Sequence, residues 1–300
     1  MATHDFSAET LKIRLICPFT FHDIKSKSDI LIDSVVIKRL YAPDISRLKG
    51  ELSSNGQDIN GFMLGSKEMT EAYVDHFISE GKEVTAASNS ALIMKMPFLN
   101  VFKINMFGMM LTRETSLLPT AYKCDTCKKT TIFNLDPSHP IPEDVEEDRD
   151  LQEDFLKFYR ETWNKDALPG ITVDLKDSPV KVEDMEGEPL NIFRLAVRWP
   201  TVGDYVRSSG DKKRSGDIEL WTIFDCITQI NDLTEEETKE IKNKNGCEAI
   251  MKFKASVYEK ILADLNQFVV EVDHSFVCKH CGAENHQPFD YTNFFEFRRK

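Results

Sequence analysis

Tyr122-Lys-Cys-Asp-Thr-Cys-Lys-Lys129 and Phe276-Val-Cys-Lys-His-Cys-Gly-Ala283 decide how this chain is read. Each holds two thiols separated by two residues, with an aromatic residue two positions before the first. Each then runs through a polar turn back to apolar text. That is a zinc-knuckle pattern written twice. One knuckle offers two thiolates, and a structural zinc takes four ligands in a tetrahedron, so two knuckles complete one site. The expected metal ligands are therefore Cys124, Cys127, Cys278 and Cys281, and the expected cofactor is a structural Zn²⁺. The stretch between Cys127 and Cys278 becomes an insertion between two halves of one ribbon. The metal pins the chain's far end to its middle.

Other readings of the thiols stay open. A CxxC can be a redox pair, but that chemistry expects a thioredoxin-like strand-to-helix setting, and both pairs sit in strand-and-turn text. The pairs could form separate or incomplete sites with His139, His274, His280 or His286, or remain unliganded. A catalytic zinc keeps an open position and usually three protein ligands. No HExxH or HxE…CxxC text is present. Disulfides need an oxidising compartment. The first residues show no basic and apolar leader, so no secretory signal is expected. Cys17, Cys226 and Cys247 read as single thiols, with Cys226 in the core.

A 300-residue chain allows two domains, or one with a large insert. Its 41% hydrophobic and 29% charged residues are ordinary for a globular protein. The net charge of −12 opposes nonspecific binding to nucleic acid or acidic membranes. No apolar run reaches the roughly 18 residues of a membrane span. P-loop, nucleophile-elbow and dinucleotide fingerprints are absent, so no enzyme is expected.

Along the chain, residues 10–48 read as strands and 50–61 as a loop. A helix is expected from Ser66 to Ser79, with Met69, Tyr73, Val74, Phe77 and Ile78 on one face. Two more are expected at 90–96 and 101–113. The second is rich in methionine (Met106, Met109, Met110), which suits an adaptable core or a docking face; we favour core. An acidic stretch follows at 142–150, then an amphipathic helix from Leu151 to Trp163. Short strand pieces lie at 171–173 and 180–182. Ile218–Ile230 reads as one helix. Thr234 and Glu237 form a capping box for the next helix, which ends at Gly246. A long helix covers 251–270. The tail, with Phe294, Phe295 and Phe297, docks back on its own core or inserts into a partner.

The expected class is α+β, with an N-terminal β-rich part, central and C-terminal helices, and a split four-cysteine zinc ribbon joining mid-chain to C-terminus. The expected division is 1–60 (β-rich), 61–135 (helical, first knuckle), 136–190 (acidic connector) and 191–300 (helical, second knuckle and aromatic tail).

Ile223-Phe-Asp-Cys-Ile-Thr-Gln-Ile-Asn-Asp232, an acidic helix, a long helix, Phe276-Val-Cys-Lys-His-Cys-Gly282 and Asn293-Phe-Phe295 follow one another in a recognisable order. With Met96-Pro-Phe-Leu-Asn100 and Tyr122-Lys-Cys-Asp-Thr-Cys127, this order resembles the baseplate hub assembly proteins of T-even-like contractile-tailed bacteriophages. The resemblance spans mainly residues 90–135 and 190–297. The chain departs from the family in its greater length and in an added acidic segment at 136–190. The resemblance implies a noncatalytic virion or assembly role, as a baseplate component or a hub assembly chaperone. It implies contacts with hub, tube or tape-measure proteins and a place in the virion tail, or in the host cytoplasm during assembly. The alternatives are a zinc-ribbon nucleic-acid-binding protein and a zinc-dependent hydrolase or redox protein.

Overall fold

The computed structural model describes residues 6–54, 59–114, 118–135, 170–211, 214, 217–266 and 273–288. The expected acidic stretch at 142–150, the helix at 151–163 and the aromatic tail lie outside these residues. The described residues form antiparallel sheets and eight helices, an α+β protein with a β-rich N-terminal part.

Strands β1 (Thr10–Asp23) and β2 (Ser28–Lys38) make a long hairpin. Helix α1 (Ala42–Ser54) follows, which corrects the expectation of strand to residue 48 and loop beyond 50. Its start carries helix chemistry. Pro43 sits in the first turn, where a missing N–H costs nothing, and the Asp44 carboxylate accepts the Tyr41 N–H at 3.3 Å.

Helix α2 (Ile59–Tyr73) and strand β3 (Val74–Ser79) replace the single helix expected over 66–79. A short apolar run fits either period. Here tertiary context decides, because β3 pairs with the free edge of β2. Glu80 and Gly81, both left-handed (φ 49° and 80°), then make the two-residue turn into β4 (Lys82–Glu83). Helices α3 (Asn89–Lys95) and α4 (Leu99–Arg113) match the expected pair. Met106, Met109 and Met110 are buried against the sheet, so the methionine-rich face is core.

The second layer begins with β7 (Gly170–Asp174), after the hairpin β5 (Leu118–Lys123) and β6 (Thr130–Leu135). Strands β8 (Val180–Glu183) and β9 (Pro189–Ile192) pair with each other, and β10 (Arg194–Arg198) pairs with β7. The strands at 170–183 thus pack with the elements after 190, and Ile171, Val173, Val180 and Val182 lie in the same apolar cluster as Leu195 and Val197. Helices α5 (Val202–Gly210) and α6 (Ile218–Cys226) lead to β11 (Ile227–Ile230). The helix expected through Ile230 stops at Cys226, because β10 takes Ile227–Ile230 as its second neighbour and buries both isoleucines. Helix α7 (Glu235–Ile250) opens with the expected Thr234–Glu237 capping box and kinks at Gly246 (φ 75°). Helix α8 (Ala255–Asn266) starts four residues later than expected. The hairpin β12 (Asp273–Val277) and β13 (Glu284–Pro288) completes the described chain.

Among the described residues two apolar clusters form, one under β1–β3 and α2–α4, the other around β7, β10, β11 and α6–α8. Strand β1 belongs to both. Its register against β2 breaks between Arg14 and Phe19, so Leu15, Ile16 and Cys17 are all buried in succession. Leu15 joins the first cluster, and Ile16 and Cys17 join the second. A bulge leaves backbone groups without ladder partners. The buried amide of Asn100 supplies them: its Oδ1 accepts the Cys17 N–H at 3.0 Å, and its Nδ2 donates to the Cys17 carbonyl at 2.8 Å. The layers are also stitched where Phe98 N–H donates to Pro200 O (2.9 Å) and Val202 N–H to Met96 O (3.0 Å).

Candidate metal centre

Both CxxC motifs are the turns of two-stranded hairpins, β5–β6 and β12–β13. Their backbones close in the same way. Cys124 N–H donates to Lys129 O and Cys278 N–H to Ala283 O, each at 2.9 Å. Lys128 N–H donates to Cys124 O and Gly282 N–H to Cys278 O, also at 2.9 Å. Main-chain amides then point at sulfur: Cys127 N–H at Cys124 Sγ and His280 N–H at Cys278 Sγ, both 3.4 Å. Amides aimed at thiolates favour their charged form.

The two hairpins bring all four sulfurs together, within 4.8 Å of one another. The shortest distances cross between knuckles: Cys124 to Cys281 and Cys127 to Cys278 are both 3.6 Å. A tetrahedron with Zn–S bonds of about 2.3 Å has edges of roughly 3.8 Å. The donor set, spacing and geometry therefore fit a closed tetrathiolate site. Cys124 and Cys278 are fully buried, Cys127 partly, and Cys281 is exposed.

Charge balance points the same way. The amide of Cys127 leads the effects that lower the Cys124 thiol below its usual range. The Ala283 amide pulls Cys281 down as well, but partial desolvation beside the other knuckle and the three neighbouring sulfurs outweigh it and push Cys281 up to about 12. Four thiolates this close repel one another, and a divalent cation at their centre removes that cost.

None of the seven cysteines forms a disulfide. Cys17, Cys226 and Cys247 are buried, and desolvation leads the effects that raise all three thiols, Cys247 to about 12. Among the described residues no histidine joins the sulfur cluster. Both motifs sit in hairpin turns and not at a strand-to-helix junction, which removes the structural setting expected of a redox pair.

Sequence reasoning missed Asn285, in β13 and nearly inaccessible at 3% exposure. Its Oδ1 accepts the Asp125 N–H of the other knuckle at 2.8 Å, and its Nδ2 donates to Ala283 O at 2.9 Å. Its partner lies 160 positions away, so no local pattern announces it.

Around a four-sulfur centre shared by two hairpins, the class defined by fold and site is an α+β protein with a split, ribbon-like four-cysteine unit whose sulfur spacing suits a metal ion. Residues 170–296 match the family model described as the T4 bacteriophage base plate protein. The match starts at β7, inside the stretch read from sequence as an added acidic segment, and it includes Cys278 and Cys281 but not Cys124 and Cys127. This supports a phage baseplate protein family and not the narrower hub assembly family of the sequence resemblance. No curated protein and no solved structure matches the chain. No helix among the described residues is long and apolar enough to cross a membrane.

Proposed function

We propose that this chain is a noncatalytic structural component of a contractile phage baseplate, or a chaperone of hub assembly, acting through protein–protein contacts. The observation that carries the reading is the match of residues 170–296 to a phage base plate family. Zn²⁺ bound by Cys124, Cys127, Cys278 and Cys281 is structural in this reading. All four positions are taken by thiolates, which leaves none open for substrate. Its partners are hub, tube or tape-measure proteins, and its place is the virion tail, or the host cytoplasm during assembly. The net charge of −12 supports protein partners over nucleic acid.

Gel filtration of the chain with each tail protein of its phage tests the reading. A stable complex with a hub, tube or tape-measure protein is expected. Failure to associate with any of them removes it. Elemental analysis of the purified chain tests the metal, with one zinc per chain expected.

A further inference from the structure

We infer that Asn285 is a positioning residue for the metal site, a latch that holds the two knuckles in register so that all four sulfurs face one ion. This rests on the zinc reading and extends it to a residue that is not a ligand. Asn285 spans the interface between the hairpins. Asp125, whose N–H it accepts, directly follows the ligand Cys124, and Ala283, to which it donates, lies two residues past the ligand Cys281. The carboxamide has one orientation that satisfies both partners. Turned over, it would set N–H against N–H and oxygen against oxygen.

The latch matters because the ligand pairs are remote in sequence, with Cys127 and Cys278 151 positions apart. Within a knuckle, local backbone bonds already place the two thiols, as the matched closures at Cys124 and Cys278 show. Between knuckles something else must set the relative orientation. At 3% exposure, water competes poorly for the Asn285 amide. Groups that orient metal ligands from outside the coordination sphere typically change metal affinity 10- to 100-fold when removed.

The test uses the full chain, the unaltered protein beside Asn285→Ala and Asn285→Asp, each loaded with zinc and then challenged with excess chelator. Asn285→Ala is expected to release zinc about 10- to 100-fold faster. Its cobalt-substituted form should keep the absorption bands of a tetrahedral tetrathiolate, since no ligand is lost. Hydrogen exchange at the Asp125 amide should accelerate in Asn285→Ala and stay slow in Asn285→Asp, which keeps an acceptor at that point. If Asn285→Ala does not fold, slow exchange at Asp125 in both the unaltered protein and Asn285→Asp supports the latch, and fast exchange in either overturns it. Zinc release from Asn285→Ala at the unaltered rate overturns the latch and leaves the zinc reading standing. Failure of the unaltered protein to take up zinc overturns both.

Discussion

Lys128 and Gly282 occupy the same place in the two knuckles, each directly after the second cysteine, and share a left-handed backbone with φ of 59° and 72°. Their N–H groups make the same bond, to the carbonyl of the first cysteine. The turn imposes the conformation, and only one copy has the residue best suited to it. A left-handed non-glycine residue costs roughly 1–2 kcal/mol. Gly282→Ala should therefore lower stability by about 1 kcal/mol. Lys128→Gly should be neutral or stabilising by a few tenths, since glycine's unfolded-state entropy offsets part of the gain. Chemical denaturation of the zinc-loaded protein measures both.

Neither apolar cluster includes Cys124 or Cys278. Removing the metal should thus unfold the two hairpins and leave the cores folded. Structural zinc contributes on the order of 10 kcal/mol to units of this kind. Chelator, or Cys281→Ser, is expected to abolish zinc retention while most helical circular dichroism survives. Retention of one tightly held zinc in Cys281→Ser would contradict a four-thiolate site. Zinc must displace thiol protons, with Cys281 at about 12 in the absence of metal. Uptake at neutral pH should release protons, and affinity should fall as pH falls.

Asp204 is a fully buried carboxylate gripped by Arg198, whose Nη2 lies 2.8 Å from Oδ1. Arg207 bonds the same oxygen, and the Thr201 N–H and hydroxyl each donate to Oδ2 at 2.8 Å. Burial alone would raise this carboxyl, but Arg198 and Thr201 outweigh burial and bring it to about 2. The folded value lies below the unfolded one of about 3.9. The stabilisation is therefore complete above about pH 4 and is lost as pH falls towards 2. Asp204→Asn leaves Arg198 without its counter-ion and should cost about 3–5 kcal/mol. Urea denaturation at pH 7 and at pH 3 reads both effects.

Asn100→Ala should cost roughly 2–4 kcal/mol, because it strands the buried N–H and carbonyl of Cys17 in the β1 bulge. Asn100→Asp keeps the acceptor and loses the donor, so it should fall between. Because Ile16 and Cys17 reach the second cluster, the loss should destabilise both layers together. A single denaturation transition shifted as a whole is the expected outcome.

The four sulfurs were legible because CxxC is a local pattern whose chemistry names its own missing half. The Thr234–Glu237 capping box and the burial of Cys226 were legible for the same reason, as both follow from a few adjacent residues. Where a helix hands over to a strand, at Tyr73–Val74 and Cys226–Ile227, the apolar text suits both periods. The choice belongs to β2 and β10, which lie far off in sequence. The Glu80-Gly81 turn is the local clue to β3. Asn100 and Asn285 were invisible for a stronger reason. An asparagine in a sequence does not state which distant backbone it will satisfy.

The chain meets itself at the sulfur cluster, where residues 151 and 157 positions apart nearly touch. With an ion joining the four sulfurs, a tensile load applied between the N-terminal sheet and the strand leaving Cys281 would pass through that junction. The β7–α8 body, spliced between the two knuckles, would then be loaded through its packing on the N-terminal layer and not through its own two ends. A shunt of this kind spares an inserted body from being drawn out by its ends.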